Sequence, residues 1–333
     1  DSLEKEGVVM NEKEVAEIRR RFRPEKSNIA YIRGCYVDDK REIVSEFRQS
    51  FALTPQEESE KLLAILKRTL SGTLGKNLID IDFTTRQVVD SEEHSLLMEL
   101  RNSSLNNEEA AQALFQRIVQ SLSIEGHYVI LLAYDTYDVP YRSKDGEQQE
   151  DASSEVYSYF LCSICPVKMT KPALSYYVNE NMFHNRKEDW IVAAPEIGFL
   201  FPAFEDRSTN IYSALYYTRD IAENHQEFVD AVFHCEVPMP AAEQKETFES
   251  ILGETLAEDC SYDVVQSVHG QLSGMIEEHK ANKEVEPLVL SKTAVKRVLE
   301  SCGVPEERTA TFDEKYDTVF GADTELRPGY IIN

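Results

Sequence analysis

Tyr128-Val129-Ile130-Leu131-Leu132-Ala133-Tyr134 is the longest uninterrupted apolar stretch in this chain of 333 residues. Seven residues cannot span a bilayer, which takes about 20, but they suit a buried strand rich in β-branched and aromatic side chains. We predict a strand over 127–137, with further β-rich runs at 155–167, 190–204 and 210–218. The acidic segment Ser143–Asp151 contains Lys144-Asp145-Gly146-Glu147, which is typical of a reversal between paired strands.

Helices and shorter strands are predicted before this β-rich middle. Helices are expected over Met10–Phe22, over 92–102, over 107–122 and from Thr54, where Thr54-Pro55-Gln56-Glu57 resembles a capped helix start. Strands are expected at Ile29–Val37, Arg41–Phe47 and Leu78–Phe83. In the last run Asp80 and Asp82 share one face, and the alternating apolar residues share the other.

After Pro238 the pattern becomes helical, with apolar stripes that include Phe248, Ile251, Val268 and Leu272. We predict an α+β fold: a mostly antiparallel sheet domain with flanking helices, followed by an all-helical C-terminal segment. The predicted divisions are a leader or expression remnant at 1–9, an α+β domain at 10–238, a helical hairpin at 239–286 and a helical pair with a tail at 287–333.

Composition narrows the class of partner and the compartment. With 35 Lys and Arg against 60 Asp and Glu, the chain carries a net charge of −25, so its overall field repels nucleic acid and anionic membranes. No signal peptide and no membrane-spanning run are visible. Six cysteines in a chain of this length do not indicate a disulfide scaffold. We therefore expect a cytoplasmic protein that does not bind a membrane.

The first candidate site is a local cluster of cations in this acidic chain, formed by Arg19, Arg20, Arg21, Arg23 and Lys26. Arginine suits phosphate recognition because its planar guanidinium donates two parallel hydrogen bonds. The cluster is therefore a candidate site for an anion or for nucleic acid. The alternative is a solvated helix end, at which some arginines pair with Glu14, Glu17 or Glu25.

Candidate catalytic residues are scattered along the chain. Carboxylates at Asp80, Asp82, Asp135 and Asp138 are hard ligands that suit a divalent cation if they converge. His184 and Arg186 could assist as a general base and a phosphate contact, but 184–190 is more typical of an exposed loop between strands. Asp80 and Asp82 are more typical of the solvated side of an antiparallel sheet. No catalytic residue is fixed by any motif, and no cofactor or metal is expected.

Two further motifs have simple structural interpretations. Cys162-Ser163-Ile164-Cys165 lacks the second cysteine pair or spaced histidines of a zinc site. Odd spacing on a strand sends its two thiols to opposite faces, so we expect buried, inert cysteines. Glu205-Asp206-Arg207-Ser208 is expected to be either a binding loop or a salt-bridged turn.

Several long segments resemble a bacterial family found mainly in Firmicutes, domain of unknown function 4317. The segments are Glu17–Phe22, Ile32–Val37, Leu70–Asn77, Tyr134–Arg142, Cys162–Lys168 and Pro238–Lys245. The resemblance covers nearly the whole chain from Met10 and implies a bacterial cytoplasmic protein without implying a reaction. Because members of the family typically start near Met10 and continue past Asn333, it also implies a leader at 1–9 and a missing tail.

The order of elements is also similar to that of the nucleoid-associated 37-kilodalton bacterial proteins, although no motif supports this likeness. We expect a non-enzymatic interaction protein with a protein partner or self-association, and a dimer is one form this could take. A more specific expectation is association with the nucleoid or with nucleic acid through the arginine cluster, although the net charge disfavours it. The alternative is a metal-assisted hydrolase or nuclease that uses the aspartates.

Overall fold

The computed structural model describes residues 10–142, 148–149, 155–223, 225–235, 241–257, 260–282, 290–321 and 325–326. The chain divides into two compact units, Asp1–Pro238 and Met239–Asn333. The predicted leader at 1–9, the turn Lys144–Glu147 and the end of the predicted helical hairpin, 283–286, lie outside the described residues.

The first unit is built on one antiparallel sheet. Its strands and those of its hairpins are β1 (Tyr31–Val37), β2 (Ile43–Ser50), β3 (Leu78–Asp82), β4 (His127–Val139), β5 (Tyr141–Arg142), β6 (Gln148–Gln149), β7 (Glu155–Thr170), β8 (Ala173–Tyr177), β9 (Met182–Arg186), β10 (Asp189–Val192), β11 (Ile197–Phe201), β12 (Ala203–Glu205), β13 (Ser208–Asn210) and β14 (Ser213–Thr218). In the described part of the chain, the sheet has the order β2-β1-β4-β7-β11-β14-β3, and β10 pairs with the far end of β7.

Helices cover both faces of this sheet. They are α1 (Glu12–Arg19), α2 (Gln56–Arg68), α3 (Thr85–Asp90), α4 (Glu92–Asn102), α5 (Glu108–Ser121) and α6 (Gln226–Phe233). Helices α4, α5 and α6 bury one face of the sheet, and α1 and α2 bury the other. A strand that is buried on both faces needs apolar side chains at successive positions, which explains the unbroken stretch Tyr128–Tyr134.

The second unit is mainly helical. Its elements are α7 (Ala241–Leu256), α8 (Tyr262–Asn282), β15 (Leu290–Ser291), α9 (Lys292–Ser301), α10 (Glu306–Val319) and β16 (Glu325–Leu326). The predicted apolar stripes form its core, in which Phe248, Val268 and Leu272 are almost completely buried. The short pair β15–β16 adds two strands to a segment that was expected to be all-helical. None of the described helices in either unit is long and apolar enough to cross a membrane.

The α+β prediction with a mostly antiparallel sheet is confirmed, but three local expectations are wrong. The run 190–204 is not one strand, because the chain leaves β7 at Val192 and starts a new strand at Ile197. The predicted loop 184–190 contains parts of two paired strands, β9 and β10. Thr54 does not cap α2 with its hydroxyl, which instead donates a hydrogen bond to the carbonyl of Ser50.

Candidate functional site

A two-stranded ribbon extends from the sheet over residues 168–192, and we call it the arm. In β10, Trp190 lies opposite Met169, and in β9, Phe183 lies opposite Tyr176. The two hairpin segments keep the same register, so the end of β7 with β8 forms one strand of the ribbon and β9 with β10 forms the other. Pro172, which has no N–H to donate, lies at the interruption between β7 and β8.

Local sequence explains why this segment folds back on itself. The reversal between β8 and β9 includes Asn181 in the left-handed conformation, with φ of 49°, which asparagine tolerates better than most residues. The backbone N–H of Glu180 donates to the carbonyl of Tyr177 at 3.1 Å, and the Tyr176 hydroxyl donates to Asn181 Oδ1 at 2.9 Å. Beside the turn the rings of Tyr176 and Phe183 pack at 5.0 Å between centroids, a cross-strand aromatic contact that stabilises a ribbon.

The base of the arm is anchored to the sheet by aromatic contacts. The Trp190 ring lies 4.8 Å from that of His127 and 6.5 Å from that of Tyr36. The Tyr36 hydroxyl and His127 Nδ1 are 2.6 Å apart and share a hydrogen bond. Because His127 and Tyr36 belong to β4 and β1, these contacts fix the direction in which the arm leaves the sheet.

The tip of the arm exposes large apolar side chains on both faces. Leu174 is 71% exposed and Phe183 is 66% exposed. Similar or smaller fractions are exposed at Tyr176, Tyr177, Val178, Met182, Met169, Trp190, Ile191 and Val192. Exposed apolar residues are ordinary when they are scattered, but a contiguous patch marks an interaction site. The arm therefore has the character of a binding surface.

The sequence contained one signal for this arm. Apolar residues alternate at Leu174, Tyr176 and Val178, then recur at Phe183 after the turn residues Asn179-Glu180-Asn181. That pattern is typical of a hairpin, whereas the residues at the end of this segment, 184–190, predict a loop. Of the predicted site residues, His184 and Arg186 lie in the arm, where His184 Nε2 is 2.8 Å from Glu180 Oε2.

The arginine cluster is divided among different partners. Arg21, which is partly buried, forms an ion pair with the buried Asp135, Nε to Oδ2 at 3.0 Å, and its guanidinium lies 4.5 Å from the centre of the Tyr137 ring. Arg19 donates to the carbonyl of Leu70, and Arg20 donates to the carbonyl of Ala16 in its own helix. The expected partner carboxylates Glu14, Glu17 and Glu25 are not those of Arg21. Arg23 and Lys26 are exposed.

Asp135 is buried and belongs to a structural joint. Besides the guanidinium of Arg21, it accepts hydrogen bonds from the Tyr159 hydroxyl at 2.9 Å and the backbone N–H of Asn28 at 2.8 Å. A buried carboxylate is stable when its lone pairs are used in this way. Burial and the neighbouring Asp135 charge raise the pKa of Tyr159 well above its ordinary value, so the hydroxyl keeps its proton and donates. The joint fastens the residues after α1 to β4 and β7.

The remaining candidate carboxylates do not gather around one point. Asp138 lies on β4 with its side chain exposed, three positions after Asp135 and therefore on the opposite face. Asp80 and Asp82 lie on β3, and three strands separate β3 from β4 in the sheet. Strands are about 4.8 Å apart, so roughly 19 Å separates β3 from β4. Among the described residues, no group of three His, Cys, Asp or Glu side chains could hold a metal ion.

The two cysteines of the Cys162–Cys165 motif lie on opposite faces of β7. Cys162 is buried in the core beneath α4, α5 and α6, and Cys165 is buried in the core beneath α1 and α2. Burial raises the pKa of the Cys165 thiol to about 12 and that of Cys162 well above its ordinary value. Because only the thiolate is a strong nucleophile or ligand, these thiols are inert packing residues.

The segment Glu205–Ser208 is a salt-bridged turn between β12 and β13. Asp206 and Arg207 both have a positive φ, and Arg207 Nη1 lies 2.8 Å from Glu17 Oε2. The backbone N–H of Arg207 donates to Glu14 Oε1 at 3.4 Å. The sequence left two interpretations open, a binding loop and a salt-bridged turn. These contacts correspond to the turn, which holds α1 against the hairpin β12–β13.

Glu205, at the end of β12, is a buried carboxyl whose environment the sequence did not reveal. It is only 4% exposed, and its Oε2 accepts a hydrogen bond from Asn210 Nδ2 at 2.7 Å. Burial raises the pKa of Glu205 to about 8, and the charges of Asp80, Asp82 and Glu14 add to this increase. Burial also raises the pKa of Glu14. The raised pKa of Glu205 favours its protonated form at neutral pH.

Comparison with known proteins identifies the family of the chain. It belongs to the family described as a domain of unknown function (DUF4317), whose model matches residues 10–333. The resemblance expected from the sequence segments is thereby confirmed. No curated protein and no solved structure matches the chain.

Proposed function

We propose that this chain is a non-enzymatic interaction protein whose arm binds the surface of another protein. The observation that carries the proposal is the set of large apolar side chains exposed at the tip of the arm. Water is released from these side chains when a partner covers them, which provides a favourable free energy of association. The aromatic anchor at the base lets the arm present its tip in a defined direction.

The exposed aromatic area of the arm is large enough to contribute substantially to the free energy of association. About half or more of the residue surface is exposed at each of four aromatic residues of the arm: Tyr176, Tyr177, Phe183 and Trp190. An aromatic side chain buries about 150–250 Å², so these four offer roughly 400 Å². At about 25 cal/mol per Å², covering them contributes roughly 10 kcal/mol before the costs of association. Tyr, Trp, Phe and Met are also the residue types enriched at the centres of protein interfaces.

Net charge favours a protein over a nucleic acid or an anionic membrane. The chain carries −25 charges, which repel phosphate at short range. The arginine cluster does not offset this repulsion fully, because Arg21 forms an ion pair with Asp135 and Arg19 donates a hydrogen bond to the carbonyl of Leu70. Arg20, Arg23 and Lys26 are exposed, but Arg20 also donates to the carbonyl of Ala16 in its own helix, and we do not extend the proposal to nucleic acid.

The alternative of a metal-assisted hydrolase or nuclease has less support from the contacts. Asp135 is occupied by Arg21, Tyr159 and Asn28, so it has little capacity left for a cation.

The cytoplasm remains the proposed compartment, since the six cysteines are free thiols and such thiols suit a reducing environment.

Site-specific photocrosslinking in living cells tests this proposal. A photoreactive phenylalanine analogue replaces Phe183 at the tip of the arm, and the matched control replaces Leu53, which is 88% exposed outside the arm. We expect discrete crosslinked protein species from position 183 only. These species should disappear when Leu174→Ser is added, because that substitution removes an exposed apolar contact without disturbing a buried residue.

The outcome that contradicts the proposal is equally specific. If positions 183 and 53 give the same weak, diffuse crosslinks, or if Leu174→Ser leaves the species unchanged, the arm is not a binding surface. Circular dichroism of the purified variants confirms that each keeps the parent fold, so a loss of crosslinks cannot be attributed to unfolding.

A further inference from the structure

We infer that the partner of the arm is a second copy of this chain, bound arm against arm in antiparallel orientation with each tip beside the other's base. The inference rests on the proposed function, since it names the occupant of the same surface. Three features of the arm support it: its net charge, the distribution of that charge along its length, and its apolar area.

The first feature is the charge of the arm relative to the rest of the chain. Lys168, Lys171, Arg186 and Lys187 exceed Glu180, Glu188 and Asp189 by one, so the arm carries +1 and the remaining residues carry −26. Two copies of so acidic a chain repel one another through most of their surfaces. The arm is a segment through which they can meet without that repulsion.

The length of the arm strengthens this point. Residues 168–177 span roughly 30 Å at about 3.3 Å per residue of a strand. Two arms that overlap antiparallel along their length hold the two acidic sheets about one arm length apart. Screening in physiological salt acts over about 8 Å, so the sheets no longer repel each other strongly at that separation.

The second feature is an uneven charge along the arm. Between Ala173 and Asn185, at the tip, Glu180 is the single formally charged residue, giving −1. The base, 168–172 with 186–192, holds four cations and two carboxylates, giving +2. An antiparallel overlap places the negative tip of each copy beside the positive base of the other. A parallel, tip-to-tip arrangement brings like charges together, so the charges favour the antiparallel arrangement.

The third feature is the area available. Tyr176 and Phe183 are opposite each other and share one face of the arm, whereas Tyr177 lies on the other face. Two arms that pack face to face cover one face of each, so their aromatic side chains contribute roughly 400 Å² before aliphatic side chains are counted. Leu174 on the same face as Tyr176 and Val178 at the turn are each more than half exposed and add to that area. Stable interfaces bury about 1,200–2,000 Å² in total, and a smaller area is typical of a dimer that dissociates on dilution.

The mass of the purified full chain in solution is the first test. We expect sedimentation equilibrium to show a dimer that dissociates on dilution. Leu174→Ser combined with Phe183→Ser should weaken the dimer by about 30-fold or more, as for the loss of a central interface residue. Leu53→Ser, equally apolar and exposed but outside the arm, should leave the dissociation constant unchanged.

Charge exchange between two variants tests the antiparallel arrangement. Glu180→Lys makes the tip positive beside a positive base, and Lys171→Glu with Lys187→Glu makes the base negative beside a negative tip. Each variant alone should dimerise at least several-fold more weakly than the parent. An equimolar mixture should recover the parent affinity as a heterodimer, because both tip-to-base contacts then join opposite charges.

The results separate this inference from the proposed function. A purified chain that stays monomeric at high concentration, while position 183 still crosslinks to a different protein in cells, overturns the second-copy inference and leaves the interaction proposal standing. A dimer that is unaffected by Leu174→Ser with Phe183→Ser, or a charge-exchange mixture that does not recover affinity, also overturns it. Absence of arm-dependent crosslinks in cells counts against the proposed function itself.

Discussion

Replacing Glu205 by Gln should stabilise the fold in a strongly pH-dependent manner. The Glu205 carboxyl is buried at the end of β12, and its Oε1 has no hydrogen-bond partner among the described residues. Burial raises its pKa from 4.5 to about 8, so the folded chain holds this proton more tightly than the unfolded chain does. Stability from this group is therefore present at low pH and is lost as the pH rises from about 4.5 to about 8.

The size of the effect follows from the difference between the two pKa values. A shift of one unit corresponds to about 1.4 kcal/mol, so a change from 4.5 to about 8 corresponds to roughly 5 kcal/mol at pH 8.5 and above. Glutamine cannot ionise, and its side-chain carbonyl can still accept the hydrogen bond from Asn210. Glu205→Gln should therefore raise the free energy of unfolding by several kcal/mol at pH 8.5 and by little at pH 5.

Urea unfolding at pH 5, 7 and 8.5, followed by circular dichroism, measures this difference. Glu125→Gln, at an exposed glutamate before β4, is the matched control and should change stability by no more than a few tenths of a kcal/mol at any pH. If Glu205→Gln has the same effect at pH 5 and at pH 8.5, Glu205 is ionised in the folded chain and the reasoning from its burial is refuted.

Three further predictions concern buried positions. Val268→Asp places an unpaired charge in the core of the second unit and should lower the free energy of unfolding by several kcal/mol; an unchanged melting temperature would contradict that burial. Arg21→Met should cost about 3–5 kcal/mol because it leaves the Asp135 carboxylate buried without its cation. Adding Asp135→Asn should recover part of that loss in a double-mutant cycle, and strictly additive losses would argue against the pair. Gly198→Ala should destabilise the sheet, since its new methyl group meets the Cys162 carbonyl oxygen in the adjacent strand; denaturant unfolding with no shift in midpoint would refute this.

Regular elements with a buried face were well predicted from the sequence. The helix over 92–102 begins and ends where it was expected, with Ser91 accepting a hydrogen bond from the N–H of His94. The strand around Tyr128–Tyr134 was also found, because a long apolar run at the centre of a sheet is a strong local signal. In both cases the local residue pattern matches the burial of the element, so the prediction needs no information about distant residues.

The arm and Glu205 were missed for different physical reasons. Most side chains of the arm are exposed, so the usual contrast between a buried and a solvated face is absent over 173–186, and a strand signal based on that contrast fails. The raised pKa of Glu205 depends on its burial and on the charges of Glu14, Asp80 and Asp82, which are distant in the chain. Such proximity is created by the topology of the sheet and leaves no trace in the residues around 205.

The pairing of β3 with β14 links the completion of the sheet to the timing of protein synthesis. Asp82 and Ser213 are register partners although 131 positions separate them in the chain. At a translation rate of about 5–20 residues per second, β3 leaves the ribosome roughly 7–26 s before its partner strand exists. Throughout that interval the N-terminal strands have an unpaired edge, which is the kind of surface that aggregates or attracts chaperones. The most vulnerable period for this chain should therefore occur during translation, before β14 has been made.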